Sequence, residues 1–312
     1  LILKRGGSKL YGLPYHGSKS KIIEKIARFF PNADHFYDLF GGGFSVSQYM
    51  VENRSKSYKY FHYNELRSGM CELIQDAIDG KYSFANGYKP EWISREKFFT
   101  EKETNAYIKI IWSFGNNGET YIFGKEIEQQ KRSMHMAVVF NEFDDYIKNT
   151  FNIDKWPNDL SITAKRLYLT KHLIRKNRND LQQLERLEQL QQLQQLERLE
   201  QLQQLERSKI TLTNLDYRSV EIKQNSVIYC DIPYKGTEDY GNSFIHKEFF
   251  DWADRQENPL FISEYKVDDD RFYLLKEINH RSTISSFVNN AVTERLYGNK
   301  TAYDIIQKHL NK

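Results

Sequence analysis

The chain has 312 residues and nearly balanced charge, 45 Lys and Arg against 42 Asp and Glu, for a formal net charge of +3. That balance excludes a surface that grips polyanions everywhere, so any nucleic-acid contact has to be local. Two cysteines, Cys71 and Cys230, make neither a disulfide framework nor a Cys-rich zinc site, and no signal-peptide core or apolar run of about 18 residues appears, so a soluble cytoplasmic protein without a metal is expected.

In chain order, residues 21–30 (KIIEKIARFF) carry apolar side chains at helical spacing and are closed by Pro31-Asn32. HFYDLF then reads as a buried strand running into Gly41-Gly42-Gly43. A helix is expected from Phe44 to about Asn53, a second strand in SYKYFHYNEL, and a helix near Gly69 to Asp79. This βαβα order predicts an α/β fold whose parallel sheet is covered on both faces.

From 81 to 180 the periodicity is irregular, and WSFGNNGETYIFG suggests a hairpin around Asn116 to Gly118. Residues 165–178 predict a basic helix with Lys171, Arg175 and Arg178 on one face, which is either solvated or a phosphate contact. In residues 181–207 leucine recurs every third position. Each such step turns an α-helix by about 300°, so the leucines are expected to spiral round a helical arm of roughly 40 Å that carries no chemistry. Beyond it, ITLTNLDY and SVIYCDIPY read as short buried strands ending in acidic residues, and PLFISEY, YLLKEI and TERLYG as further strands.

Open parallel sheets bind ligands beyond the carboxyl ends of their strands. Four places there are candidates. Asp38-Leu39-Phe40-Gly41-Gly42-Gly43 is a strand entering a glycine turn, where backbone can approach a ligand without a side chain between. Asn64-Glu65 offers an acid for ribose hydroxyls, or simply a solvated Glu. Asn214-Leu215-Asp216-Tyr217 is the third. The fourth, Asp231-Ile232-Pro233-Tyr234, combines a strand-end carboxylate, a stiffening proline and an aromatic ring, a set suited to holding an amino group in the plane of a base.

YHGSK at 15–19, DLFGGG at 38–43, NE at 64–65, LDY at 215–217 and DIPY at 231–234 occur in the order found in the Dam-type bacterial and phage DNA adenine-N6 methyltransferases, which this chain resembles. The resemblance takes in YGNSFIHKEFFDWA and ISSFVNNAVTERLYG, and so most of the chain outside the leucine tract. It implies a Rossmann-like, S-adenosylmethionine-dependent sheet with an inserted, mainly helical target-recognition domain. The parts would be 1–80 and 208–312 for the catalytic domain, 81–180 for recognition and 181–207 for the repeat arm.

The resemblance assigns the cofactor to Tyr15, Lys19, Asp38, Phe40, Gly41, Gly43, Glu65, Asp216, Tyr217 and Asp231, and catalysis to Asp231, Ile232, Pro233 and Tyr234. DNA contacts are expected from Asn116, Asn117, Lys171, Arg175 and Arg178, on a monomer acting on double-stranded DNA. Ile232 replaces the first proline of the usual DPPY, and Glu65 stands where Asp is commoner. Two alternatives stay open: cytosine-N4 methylation, and a catalytically degenerate DNA-binding protein.

Overall fold

The computed structural model describes residues 9–13, 17–176, 190–234, 244–281 and 291–310. Seven strands are β1 (His35–Asp38), β2 (Tyr60–Asn64), β3 (Ile210–Thr213), β4 (Ser226–Asp231), β5 (Leu260–Glu264), β6 (Tyr273–Arg281) and β7 (Ala291–Gly298). The α-helices among the described residues are α1 (Ile23–Ile26), α2 (Ser45–Arg54), α3 (Met70–Ile78), α4 (Arg95–Glu101), α5 (Ala106–Ile111), α6 (Glu128–Phe140), α7 (Asp145–Phe151), α8 (Ile162–Lys176), α9 (Gln191–Glu200), α10 (His246–Asp254) and α11 (Lys300–Leu310). The chain divides into two compact units, Leu1–Gly12 with Gly17–Cys71 and Leu205–Lys312, and Leu13–His16 with Glu72–Gln204.

The first unit is a single seven-stranded sheet in the order β3-β2-β1-β4-β5-β7-β6. β3, β2, β1, β4 and β5 are parallel, and β7 runs antiparallel to β5 and β6. Central strands covered on both faces need apolar residues at consecutive positions. β4 (SVIYCD) and β5 (LFISE) are buried almost throughout. One face carries Ile228, Cys230 and Ile262 under Phe249 and Trp252 of α10. On the other, the Phe30 ring packs 5.5 Å from Phe36 and Tyr229 and 4.9 Å from Phe261.

The second unit is helical. Its helices start where Ser94, Asn105 and Asp144 accept a hydrogen bond from the third backbone N–H beyond. α6 and α7 end on Asn141 and Asn152 in the left-handed conformation, a role asparagine fills at helix ends. Trp92 meets Trp112 edge-on at 5.2 Å and stacks on Phe123 at 5.8 Å in its core. The expected hairpin is a tight loop whose arms meet at one bridge, Ser113 to Tyr121.

The described part of the leucine tract corrects the expectation of a free arm. Leu190, Leu193, Leu196, Leu199 and Leu202 are each no more than 1 % exposed and belong to the second unit's core. Each three-residue step rotates the leucine backwards by only about 60°, so a ten-residue helix spreads them over half its circumference. From Gln201 to Gln204 the chain tightens into a 3-10 turn, whose three-residue period keeps Leu202 in line. Along the chain the units change over at 71/72 and 204/205.

Candidate active site

β1 and β4 are parallel neighbours with Asp38 opposite Tyr229, so the glycine turn after β1 and Asp231 at the tip of β4 open on the same end of the sheet. The turn is drawn tight by backbone. Gly41 N–H donates to the Asn64 carbonyl at 2.9 Å, and Phe44 N–H to the Gly41 carbonyl at 2.9 Å. A Cβ on Gly41 would lie 2.1 Å from the Tyr63 ring, and Gly42 takes φ +49°, so neither position tolerates a larger residue. The Tyr63 hydroxyl donates to the Gly42 carbonyl at 2.7 Å.

Asp38 is buried where β1 meets this turn. Its Oδ2 accepts from Ser47 Oγ at 2.7 Å, while Oδ1 has no hydrogen-bond partner among the described residues. Burial pushes its carboxyl up to about 7, against the Ser47 hydrogen bond and with a further push from Asp231. Glu65 caps the turn from β2: Oε2 accepts from Gly42 N–H at 2.8 Å and Oε1 from Arg67 N–H at 2.9 Å. Asn64 is a clamp, donating to the carbonyls of Leu39 and Leu215 and accepting from Leu215 N–H and Thr213 Oγ1, which ties three strand ends together.

Phe40 packs 5.4 Å from Tyr217 and 5.7 Å from Phe249, so Tyr217 is part of an aromatic wall and only 9 % exposed. Asp216, three residues beyond β3 at the start of a 3-10 turn, is held by Arg218, whose backbone N–H and Nε both reach its Oδ1, and this pairing keeps its carboxyl below the usual range.

Asp231 is 19 % exposed and faces Lys19, whose ammonium lies 2.7 Å from Oδ1. Burial raises the Asp231 carboxyl to about 6, with Lys19 opposing the rise and Glu294 adding to it. Lys19, expected at the cofactor, is therefore seated on the DIPY carboxylate, and its ammonium also donates to the Gly17 carbonyl at 2.9 Å. Ile232 is buried, and the Pro233 carbonyl accepts from His246 Nε2 at 2.9 Å. The Tyr234 ring lies 5.0 Å from the Lys19 ammonium and edge-on to Tyr265 at 4.5 Å. Its hydroxyl donates to Glu294 and lies 3.3 Å from Asp231 Oδ1.

Glu294 was not legible as a site residue. The available signal was alternation in β7: Glu294 shares a face with Leu296, and both are buried. Tyr15 and Arg178 lie outside the described residues, as does the Arg175 side chain. Asn117 and Lys171 are exposed. Asn116 is a correction. It is wholly buried, and its amide donates to the Ile110 carbonyl at 3.1 Å and to Gln195 Oε1 at 2.8 Å, so it is a core residue and cannot reach DNA. No group of three or more metal-ligating side chains occurs among the described residues, nor does a helix long and apolar enough to cross a membrane.

A mostly parallel sheet finished by an antiparallel strand, with acidic strand ends around a glycine turn, defines the class, a Rossmann-like methyltransferase. The chain belongs to the D12 class N6 adenine-specific DNA methyltransferases, whose family model matches residues 15–266. It is thus a transferase acting on adenine in DNA. A comparison with curated proteins found no match.

Proposed function

We propose that this chain methylates the N6 amine of an adenine turned out of duplex DNA, in a pocket centred on Asp231, with S-adenosylmethionine as donor. The observation that carries the reading is the buried carboxylate at the tip of β4 beside the glycine turn of β1. The strand ends suit such a cofactor. Asp38 keeps a buried oxygen without a partner among the described residues, and the turn presents bare backbone. Each Glu65 oxygen, having accepted one N–H, retains a lone pair for a ribose hydroxyl. Phe40 and Tyr217 give the aromatic wall. These residues would hold S-adenosylmethionine, which supplies an electrophilic methyl on a sulfonium sulfur.

Adenine N6 is a poor nucleophile because its lone pair is delocalised into the ring. Hydrogen bonds from its two N–H groups to the Asp231 carboxylate and the Ile232 carbonyl would draw the nitrogen toward a tetrahedral shape and stabilise the positive charge it gains as the N6–methyl bond forms and the sulfur–methyl bond breaks, with S-adenosylhomocysteine as leaving group and one N6 proton then lost to solvent. Pro233 stiffens that segment, and His246 fixes its carbonyl. Tyr234 offers its ring for stacking on the base, which repays part of the cost of unstacking it from the duplex.

The second unit is the target-recognition part in this reading. Phe114, 62 % exposed, and Asn117 stand on its 113–121 loop, and Lys171, Arg175 and Arg178 are the phosphate contacts. The experiment is transfer of labelled methyl from S-adenosylmethionine to unmethylated duplex DNA. Asp231→Ala should lower it by about 10³-fold or more with circular dichroism unchanged. Near-parental transfer by a folded Asp231→Ala would refute the assignment.

A further inference from the structure

Glu294 belongs to none of the roles above, yet its carboxylate is 5 % exposed in the middle of the site. Oε1 lies 3.1 Å from the Lys19 ammonium and accepts from the Tyr234 hydroxyl. Lys19 is itself 3 % exposed, so its ammonium is a buried cation seated between two carboxylates. Among the described residues, Tyr229, Cys230, Tyr265 and Asp38 are other titratable groups whose fields reach this cluster.

The proposed reaction creates a conflict here. The adenine amine must donate to Asp231, whose Oδ1 is already held by the Lys19 ammonium at 2.7 Å with the Tyr234 hydroxyl 3.3 Å away, so an amine that approaches this oxygen competes with both. Expelling a buried ammonium without a partner is costly, whereas moving it between two carboxylates it already touches keeps it paired throughout. We propose that Glu294 is a positioning residue: it takes the Lys19 ammonium and the Tyr234 hydroxyl when the adenine amine engages Asp231, so substrate entry exchanges one hydrogen bond of Lys19 and strands no charge. With two carboxylates and one ammonium the cluster also carries net negative charge, which stabilises the positive charge developing on N6. This assignment rests on the adenine-N6 reading of the same site.

The test uses the full chain, unmethylated plasmid DNA and labelled S-adenosylmethionine, with calorimetry of S-adenosylmethionine binding as a check on folding. E294Q should lower kcat by about tenfold or more, the effect of losing a hydrogen bond to a charged group, and leave cofactor affinity within about twofold. Without Lys19 the sign should invert. In K19M the two carboxylates repel each other and favour the protonated, inactive Asp231, so K19M/E294Q should be faster than K19M.

Inversion of sign is what a merely structural Glu294 would not produce. The comparison of K19M/E294Q with K19M stands even where E294Q alone does not fold. E294Q within twofold of the parent, or a double variant slower than K19M, would overturn the assignment while leaving the function intact. A parent chain that transfers no methyl to plasmid DNA would overturn both.

Discussion

Asp38 and Asp231 stand at adjacent strand ends, and burial raises both carboxyls, to about 7 and about 6. For Asp38 the folded value lies above the ordinary 3.8, so the charged form is what the fold disfavours. Stability should therefore fall as pH rises from about 4 through about 7 and stay level beyond. Asp38→Asn keeps an acceptor for Ser47 and removes the charge. At pH 8 it should be more stable than the parent by roughly 1–3 kcal/mol, with the difference gone below pH 4, and it should bind S-adenosylmethionine more weakly. Denaturant midpoints at the two pH values check the first statement, since parallel pH profiles for parent and variant would contradict it. In the proposed reaction the ionised form of Asp231 accepts from the base, so kcat should fall as pH falls through about 6. K19M should move that limb upward, because Lys19 is the main attraction opposing burial.

The residues that were legible are those written as contiguous strings at strand ends: Asp38 to Gly43, Asn64-Glu65 and Asp231 to Tyr234. Their chemistry needs only that the strands be parallel neighbours, which βαβ order predicts. Glu294 was not legible because it arrives from an antiparallel strand 63 residues beyond Asp231, and nothing local announces that pairing. The burial of Asn116 is equally hidden in the sequence, because its partner Gln195 lies 79 residues away.

At the scale of elements, the leucine tract is held by more than its leucines. Asn116 donates to Gln195, and Gln192 Nε2 lies 3.3 Å from His135 Nδ1. Arg166 makes a two-pronged contact with Glu197 at 2.9 and 2.8 Å, and Glu200 accepts from Ser83 Oγ and Ala85 N–H. Two triplets with Gln in third place, followed by two with Glu in second place, occur in that order only once between 181 and 207. The polar residues therefore fix a register that the leucines alone would leave free to slip. The three-residue period is plain in the sequence, but the short helix and the 3-10 turn that make it a buried face depend on tertiary packing. Leu196→Ala should cost about 2–5 kcal/mol, and Gln194→Ala, on the partly exposed side, under about 0.5 kcal/mol. Equal losses in urea unfolding would return the tract to a solvated arm.

For the whole molecule, a net charge of +3 leaves little general attraction for DNA, so affinity has to come from local contacts. Lys171→Glu should weaken binding to duplex DNA and lower the slope of log affinity against log salt by about one. An unchanged slope would assign that face to solvent.

Mass spectrometry of nucleosides from DNA incubated with the full chain and S-adenosylmethionine tests whether the Asp231 pocket methylates adenine at N6. N6-methyldeoxyadenosine should appear with the parent and vanish with Asp231→Ala, whereas N4-methyldeoxycytidine, or equal yields from both proteins, would contradict it.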